Sequence, residues 1–167
     1  MSEPSPITVR PSRPADAAAL IAILYDTFES TWAPQVTLAA AAKFRAEERP
    51  RAFVTERGHE FLVAERAGAV VGLVHWEGDF VTALHVHSTT ARTGVGGALM
   101  DAAEAAIAAA GHPTARLETD TFNARSRAFY AARGYHEADR YPDEEWSSGI
   151  TTLLLVKPLG GDKAGAA

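Results

Sequence analysis

The chain of 167 residues contains no cysteine. That absence excludes disulfides, thiolate metal centres and a cysteine nucleophile together, and it fits a reducing compartment, so a cytoplasmic protein is expected. Excess positive charge is missing too: 16 lysines and arginines stand against 21 acids, for a net charge of −5. That balance speaks against a protein that grips nucleic acid through a general basic surface. No apolar run is long enough to span a membrane, and the amino terminus "MSEPSPITVRPS" lacks the charged-then-apolar order of a secretion signal. Neither nucleic acid nor a membrane is therefore expected as a partner. Internal repeats are also lacking. What is present is an ordinary globular composition, 47% hydrophobic and 22% charged, which predicts a single domain over residues 1–159 and a frayed tail over 160–167.

Helical and strand periods alternate along the chain. A strand at residues 7–10 precedes "PSRPADAAALIAILYDTF", where Leu20, Leu24, Thr27 and Phe28 share one helical face and Pro14 suits a first turn. Thr37 is placed to cap a second helix, "LAAAAKFRAEE", expected to stop before Pro50. The β-rich runs "EFLVAER", "VVGLVHWE" and "FVTALHVH" lie at hairpin spacing and predict a three-stranded antiparallel meander. "GALMDAAEAAIAAAG" predicts a helix with Leu99, Ala103 and Ile107 inward and Gly111 at its end. "ARLETD" reads as a strand and "NARSRAFYAARG" as a helix between Asn123 and Gly134. "YHEADRY" and "GITTLLLVKPL" are the last two strands. The order βααβββαβαββ is that of a mixed α/β (α+β) domain, with a crossover helix joining its fourth and fifth strands.

The stretch "STTARTGVGGALM", residues 88–100, puts three glycines between a strand and a helix. A helix opening there aims free N–H groups and partial positive charge at whatever lies in front of it, and glycines let a phosphate reach the backbone. A Walker A loop would need Lys followed by Ser or Thr after the last glycine, where this chain has Ala98-Leu99. A dinucleotide fingerprint would need a small residue at Leu99, although Glu118 falls near the place of a ribose-binding acid. A plain connecting turn is the remaining alternative.

Taken with "LETDTFNARSRAFYAARGY" some thirty residues on, the turn resembles the GCN5-related N-acetyltransferase (GNAT) superfamily. In that family R/Q-x-x-G-x-G/A loops wrap the pyrophosphate of acetyl-coenzyme A, and a later N-x-x-A-x-x-F-Y-x-x-x-G-F/Y segment supplies an asparagine and a tyrosine. Asn123, Phe129, Tyr130, Gly134 and Tyr135 stand at the matching positions, with Ala128 one place from the usual alanine. The order of elements agrees from about residue 7 to 159. Ala91, Arg92 and Ser88 depart from the family's Arg or Gln, Gly and Pro.

The resemblance implies a mostly antiparallel sheet of about seven strands with four helices, the fourth and fifth strands splayed apart. It implies acetyl-coenzyme A as co-substrate, with Arg92, Thr93, Gly94, Val95, Gly96 and Gly97 on the pyrophosphate. Leu84, His85 and Val86 would lie along the pantetheine arm with Asn123, an amide near Val86 would polarise the thioester carbonyl, and Tyr130 would protonate the leaving sulfur. The carboxylate many members carry late in the fourth strand is absent, the positions being Thr82 and Ala83. "LETDTFN" resembles the ribosomal-protein alanine acetyltransferases, whose glutamate five residues before the asparagine acts as base; Glu118 holds that place, with His85 as its rival.

His75, His85 and His87 lie on adjacent strands, but no metal is expected. The acceptor is expected to be a small-molecule amine or a peptide amino terminus, in a pocket from the first two helices and the late loops. Glu29, Asp143, Glu144 and Glu145, with Trp32 and Trp146, are its acidic and aromatic candidates. Likeness to the family is compatible with a homodimer through the last strands. Two other readings stay open: a non-catalytic acyl-coenzyme A binding or sensing module, and a dinucleotide-binding protein.

Overall fold

The computed structural model describes residues 5–143 and 148–160. The expected tail thus lies, from residue 161 on, outside the described residues. The strands are β1 (Ile7–Pro11), β2 (Leu62–Arg66), β3 (Ala69–Glu77), β4 (Phe80–Val86), β5 (Thr114–Asp120), β6 (His136–Pro142) and β7 (Thr151–Pro158). They form one sheet in the order β1-β2-β3-β4-β5-β7-β6. The β2-β3-β4 meander is antiparallel, and β4 pairs parallel with β5.

Five α-helices cover the sheet: α1 (Ala17–Thr27), α2 (Leu38–Ala46), α3 (Arg49–Arg57), α4 (Val95–Ala109) and α5 (Ala124–Ala132). The sequence reading has four, because it treats Pro50 as the end of α2. Instead Glu48 breaks the chain with a left-handed φ of 46°, and Pro50 sits in the first turn of α3. A first-turn proline is harmless because the N–H it lacks has no helical partner there. Thr37 does cap α2, accepting the Ala40 N–H at 3.1 Å.

Two apolar layers flank the sheet because successive strand residues face opposite sides. Val63 and Leu73 pack with Leu20, Ile23 and Leu24 of α1 and Val54 of α3. Ala64 and Val74 pack with Val95, Leu99, Ala103 and Ile107 of α4 and with Tyr130 of α5. α4 comes close to the sheet at Gly72, where a Cβ would stand 3.0 Å from Val95, Leu99 and the His85 carbonyl.

Candidate active site

The site begins with a defect in β4. Ala83 faces His75 and Val81 faces Trp76, so Thr82 is one residue too many on its strand. Such a bulge bends its strand, and beyond it β4 leaves β5: the parallel pairing covers only Phe80–Arg116 and Val81–Leu117. Strand amides point alternately to opposite edges. The His87 N–H donates to Val71 O on the β3 side at 2.9 Å, so the Val86 and Leu84 amides are aimed at the gap towards β5.

The glycine turn lies at the end of that edge. Asp26 of α1 holds its start, accepting the Ser88 N–H and hydroxyl at 2.8 Å each. Arg92 takes φ of 63° and Gly94 φ of 91°, which explains why a glycine suits the place Arg92 occupies. Gly94 is the N-cap of α4 and brings no side-chain cap, leaving the first amides of the helix facing outward. Arg66 of β2 clamps the turn, donating to Thr93 Oγ1 at 2.8 Å and Thr93 O at 3.0 Å. Gly96 is hemmed in by Phe129, whose ring would lie 3.4 Å from a Cβ. Uncapped amides, two left-handed residues and the cations Arg66 and Arg92 suit a diphosphate. Nothing in the sequence marked Arg66, which acts from another strand.

On the α5 side, Asn123 caps its helix, Oδ1 accepting the Ser126 N–H at 3.1 Å, and its NH2 group retains two donors. Tyr130 is buried among Phe129, Tyr135 and the α4 core. Its hydroxyl has no hydrogen-bond partner among the described residues, and burial raises its pKa above the usual phenol range. It therefore keeps its proton at neutral pH.

The opposite face of the gap opens into a cavity of about 550 Å³, lined among others by Phe28, Trp32, Phe44, His85, Glu118 and Asp120. A π turn at Phe28–Trp32, in which Ala33 N–H bonds Phe28 O at 2.9 Å, carries the Trp32 indole inward. Glu118 and Asp120, two apart on β5, share this face. The phenol of Tyr141 hydrogen-bonds to Glu118, and its own pKa is pushed up to about 12, first by burial and then by that bond. Asp120 accepts the Trp32 indole N–H at 2.8 Å and the Thr152 hydroxyl at 3.4 Å. Desolvation raises its pKa. The sequence reading passed over Asp120 in favour of Glu118.

His85 lines the cavity as well. The Thr27 hydroxyl donates to Leu24 O at 3.2 Å, so the 2.8 Å contact with His85 runs from Nδ1–H to Thr27 Oγ1. Nε2 then carries the lone pair, and burial pushes the imidazole pKa down to about 4.

Of the pocket candidates, Trp32 and Asp143 line the cavity, but Glu29 does not: it pairs outside with Arg45 at 2.8 and 2.9 Å. Glu144, Glu145 and Trp146 lie outside the described residues. The three histidines do not converge. His75 binds Glu60, His85 binds Thr27, and His87 binds Thr89. Among the described residues the histidine–carboxylate cluster is Glu60, His75 and Glu77, with Arg57 already 3.5 Å from Glu60 and 3.6 Å from Glu77.

The acetyltransferase (GNAT) family's sequence model matches residues 18–135, more than half of the chain. No curated protein matches it. A solved GCN5-related N-acetyltransferase from Rhodopseudomonas palustris is 26% identical, with a TM-score of 0.77 over 95% of this chain and 99% of that one. An N-acetyltransferase from Thermoplasma acidophilum, solved in complex with coenzyme A, shares 16% identity and a TM-score of 0.72 over 92% and 99% of the two chains. The ribosomal-protein alanine N-acetyltransferase of Escherichia coli shares 18% and 0.67 over 92% and 94%.

Proposed function

Because the chain belongs to the acetyltransferase (GNAT) family, we propose that it moves an acetyl group from acetyl-coenzyme A to a primary amine by direct attack. Tyr130 is the general acid in this reading and Glu118 the general base. The observation that supports it most is the open edge of β4, leading from the cavity to the uncapped amides of α4.

Acetyl-coenzyme A, once bound, supplies the acetyl carbon as a thioester. The backbone of Arg92, Thr93, Gly94, Val95, Gly96 and Gly97 holds the diphosphate, with Arg92 adding charge. Leu84, His85 and Val86 run along the pantetheine arm, and the Asn123 NH2 donates to it. The Val86 N–H polarises the thioester carbonyl from the splayed edge. The ammonium first releases one proton to solvent, and as the new N–C bond forms Glu118 takes a second from the amine, directly or through a water. As the C–S bond breaks, Tyr130 gives its proton to the sulfur. The products are an amide and a free thiol, and one proton returns through solvent from Glu118 to Tyr130.

Thermal shift with acetyl-coenzyme A and NAD, followed by thiol release across a panel of amines, tests this reading. A ligand at a hundred times its Kd stabilises by about 2.7 kcal/mol, which is roughly 5–10 °C for a chain of this size. Stabilisation by acetyl-coenzyme A with thiol release supports the enzyme. Stabilisation without turnover on any amine would make the protein an acyl-coenzyme A binding module, and a larger shift with NAD would overturn both.

A further inference from the structure

The β5 acids in the cavity differ from several other acids of this chain. Asp16 faces Arg10, Glu29 faces Arg45, Asp79 faces Arg116, and Glu104 faces Arg133 and Lys157. Glu118 and Asp120 form no ion pair with a lysine or arginine among the described residues, and Arg49 lines the same cavity. Asp120 is held instead by two neutral donors, the Trp32 indole and the Thr152 hydroxyl. A half-buried carboxylate braced only by neutral groups favours a cation beside it.

The rest of the cavity is broad and rich in aromatic rings, with Arg49, His85 and Asp143 among its polar groups. Phe28, Phe44, Phe53 and Phe80 come to it from four separate segments, and Phe28 and Phe44 stack with ring centroids 3.7 Å apart. Its volume of about 550 Å³ suits one small molecule. The Thr37 N–H that opens α2 donates to the O of Ser148, a lining residue, at 3.2 Å. A Cβ on Gly149 would touch Thr37 at 3.7 Å. This contact joins the chain leading into β7 to the start of α2.

We propose that the acetyl acceptor is a small primary amine on an aromatic or comparably broad apolar body, its ammonium set between Asp120 and Glu118. This rests on the acetyl-transfer reading above. A polyamine needs distant acids for its far ammonium groups, whereas the acids of β5 stand together on one wall. An aminoglycoside needs polar partners over its whole surface. A free amino acid would bring its own carboxylate within a few bonds of Glu118 and Asp120.

Full-length protein with saturating acetyl-coenzyme A is assayed for thiol release with 2-phenylethylamine, tryptamine, spermidine, glycine, tobramycin and a hexapeptide with a free amino terminus. The two arylalkylamines are expected to give kcat/KM at least a hundredfold above the others. In Asp120→Asn their KM rises tenfold or more, with the acetyl-coenzyme A Kd unchanged. Should Asp120→Asn fail to fold, Thr152→Val removes a hydroxyl that braces the carboxylate while keeping the side chain's shape, and carries the same direction of effect. A hexapeptide or spermidine used better than either arylalkylamine overturns the proposal, and so does an unchanged KM in a folded variant. Calorimetry with 2-phenylethylamine alone separates the two readings. Saturable binding that weakens tenfold in Asp120→Asn, without turnover, upholds the cavity chemistry and sinks acetyl transfer. No binding together with thiol release on another amine sinks the acceptor class and leaves acetyl transfer standing.

Discussion

His75 and Thr82 are hydrogen-bonded side chain to side chain across β3 and β4, at the point where β4 carries its extra residue. The imidazole is 1% exposed, and its Nε2–H donates to the Glu60 carboxylate at 2.8 Å. The Thr82 hydroxyl lies between His75 Nδ1 and the His75 carbonyl, 3.2 Å from the latter. The bulge that parts β4 from β5 is thus fastened by a part-buried polar contact from the neighbouring strand.

Thr82→Val keeps the shape of the side chain and removes the hydroxyl. The buried Nδ1 loses its partner, a change worth about 1–3 kcal/mol. The urea midpoint is expected to fall accordingly, and acetyl-coenzyme A to bind more weakly as the splay relaxes. A variant as stable as the parent, with unchanged affinity, would mean that strand geometry alone holds the bulge.

Gly72→Ala attacks the same region from the other face. The new methyl would lie 3.0 Å from Val95 and Leu99 of α4 and 3.0 Å from a backbone oxygen that cannot rotate away. Overpacking of this kind costs typically about 1–3 kcal/mol. Val95 opens α4, so its displacement shifts the amides offered to the diphosphate. Calorimetry should show a Kd for acetyl-coenzyme A raised more than tenfold, with a smaller effect on the KM for the amine.

Glu104 joins α4 to the end of the chain. Its carboxylate accepts the Tyr135 hydroxyl at 2.9 Å and Lys157 at 2.6 Å, with Arg133 at 3.3 Å. Glu104→Gln leaves Lys157 short of a countercharge, in a site only 10% exposed on the carboxylate side, while Arg133 keeps Asp101 at 2.7 Å. The expected loss is about 3 kcal/mol by chemical denaturation, near the lower end for breaking a buried pair.

Tyr130→Phe separates catalysis from packing. The ring keeps its contacts with Phe129 and Tyr135, and the hydroxyl has no described partner to lose. Turnover is expected to fall by about 10²–10⁴, with the melting temperature within a degree or two. A large loss of stability with normal turnover of the remaining folded protein would place the phenol in the fold and not in the chemistry.

The meander and the helix ends were legible because their signals are local. Gly134 takes φ of 96° where α5 ends, and Asn123 and Thr37 cap the helices they precede. α3 was not, since the proline that starts it reads equally as a stop. The bulge at Thr82 breaks the strand period by one residue, which neither "FVTALHVH" nor its turn announces. Asp120 was hidden for a different reason. Its brace, Trp32, is 88 positions away, and only the π turn of the folded chain brings the indole to β5. Glu118 drew attention by resemblance to a local motif, whereas Asp120 has significance only in three dimensions.

His85 ties stability to pH in a way that also tests the base assignment. The imidazole titrates near 6.5 when unfolded and at about 4 in the fold, where burial disfavours its charged form. Unfolding therefore takes up a proton between these values. The contribution is fully present above about pH 6.5 and is lost as pH falls towards 4, by no more than about 3 kcal/mol. His85→Gln, able to keep a donor towards Thr27, should show a smaller loss of urea stability between pH 7 and pH 5 than the parent. With a folded pKa that low, His85 cannot produce an inflection in the rate profile between pH 5 and 9. Any such inflection should persist in His85→Gln, and turnover should fall in Glu118→Gln. The reverse pattern would move the proton-accepting role from β5 to β4.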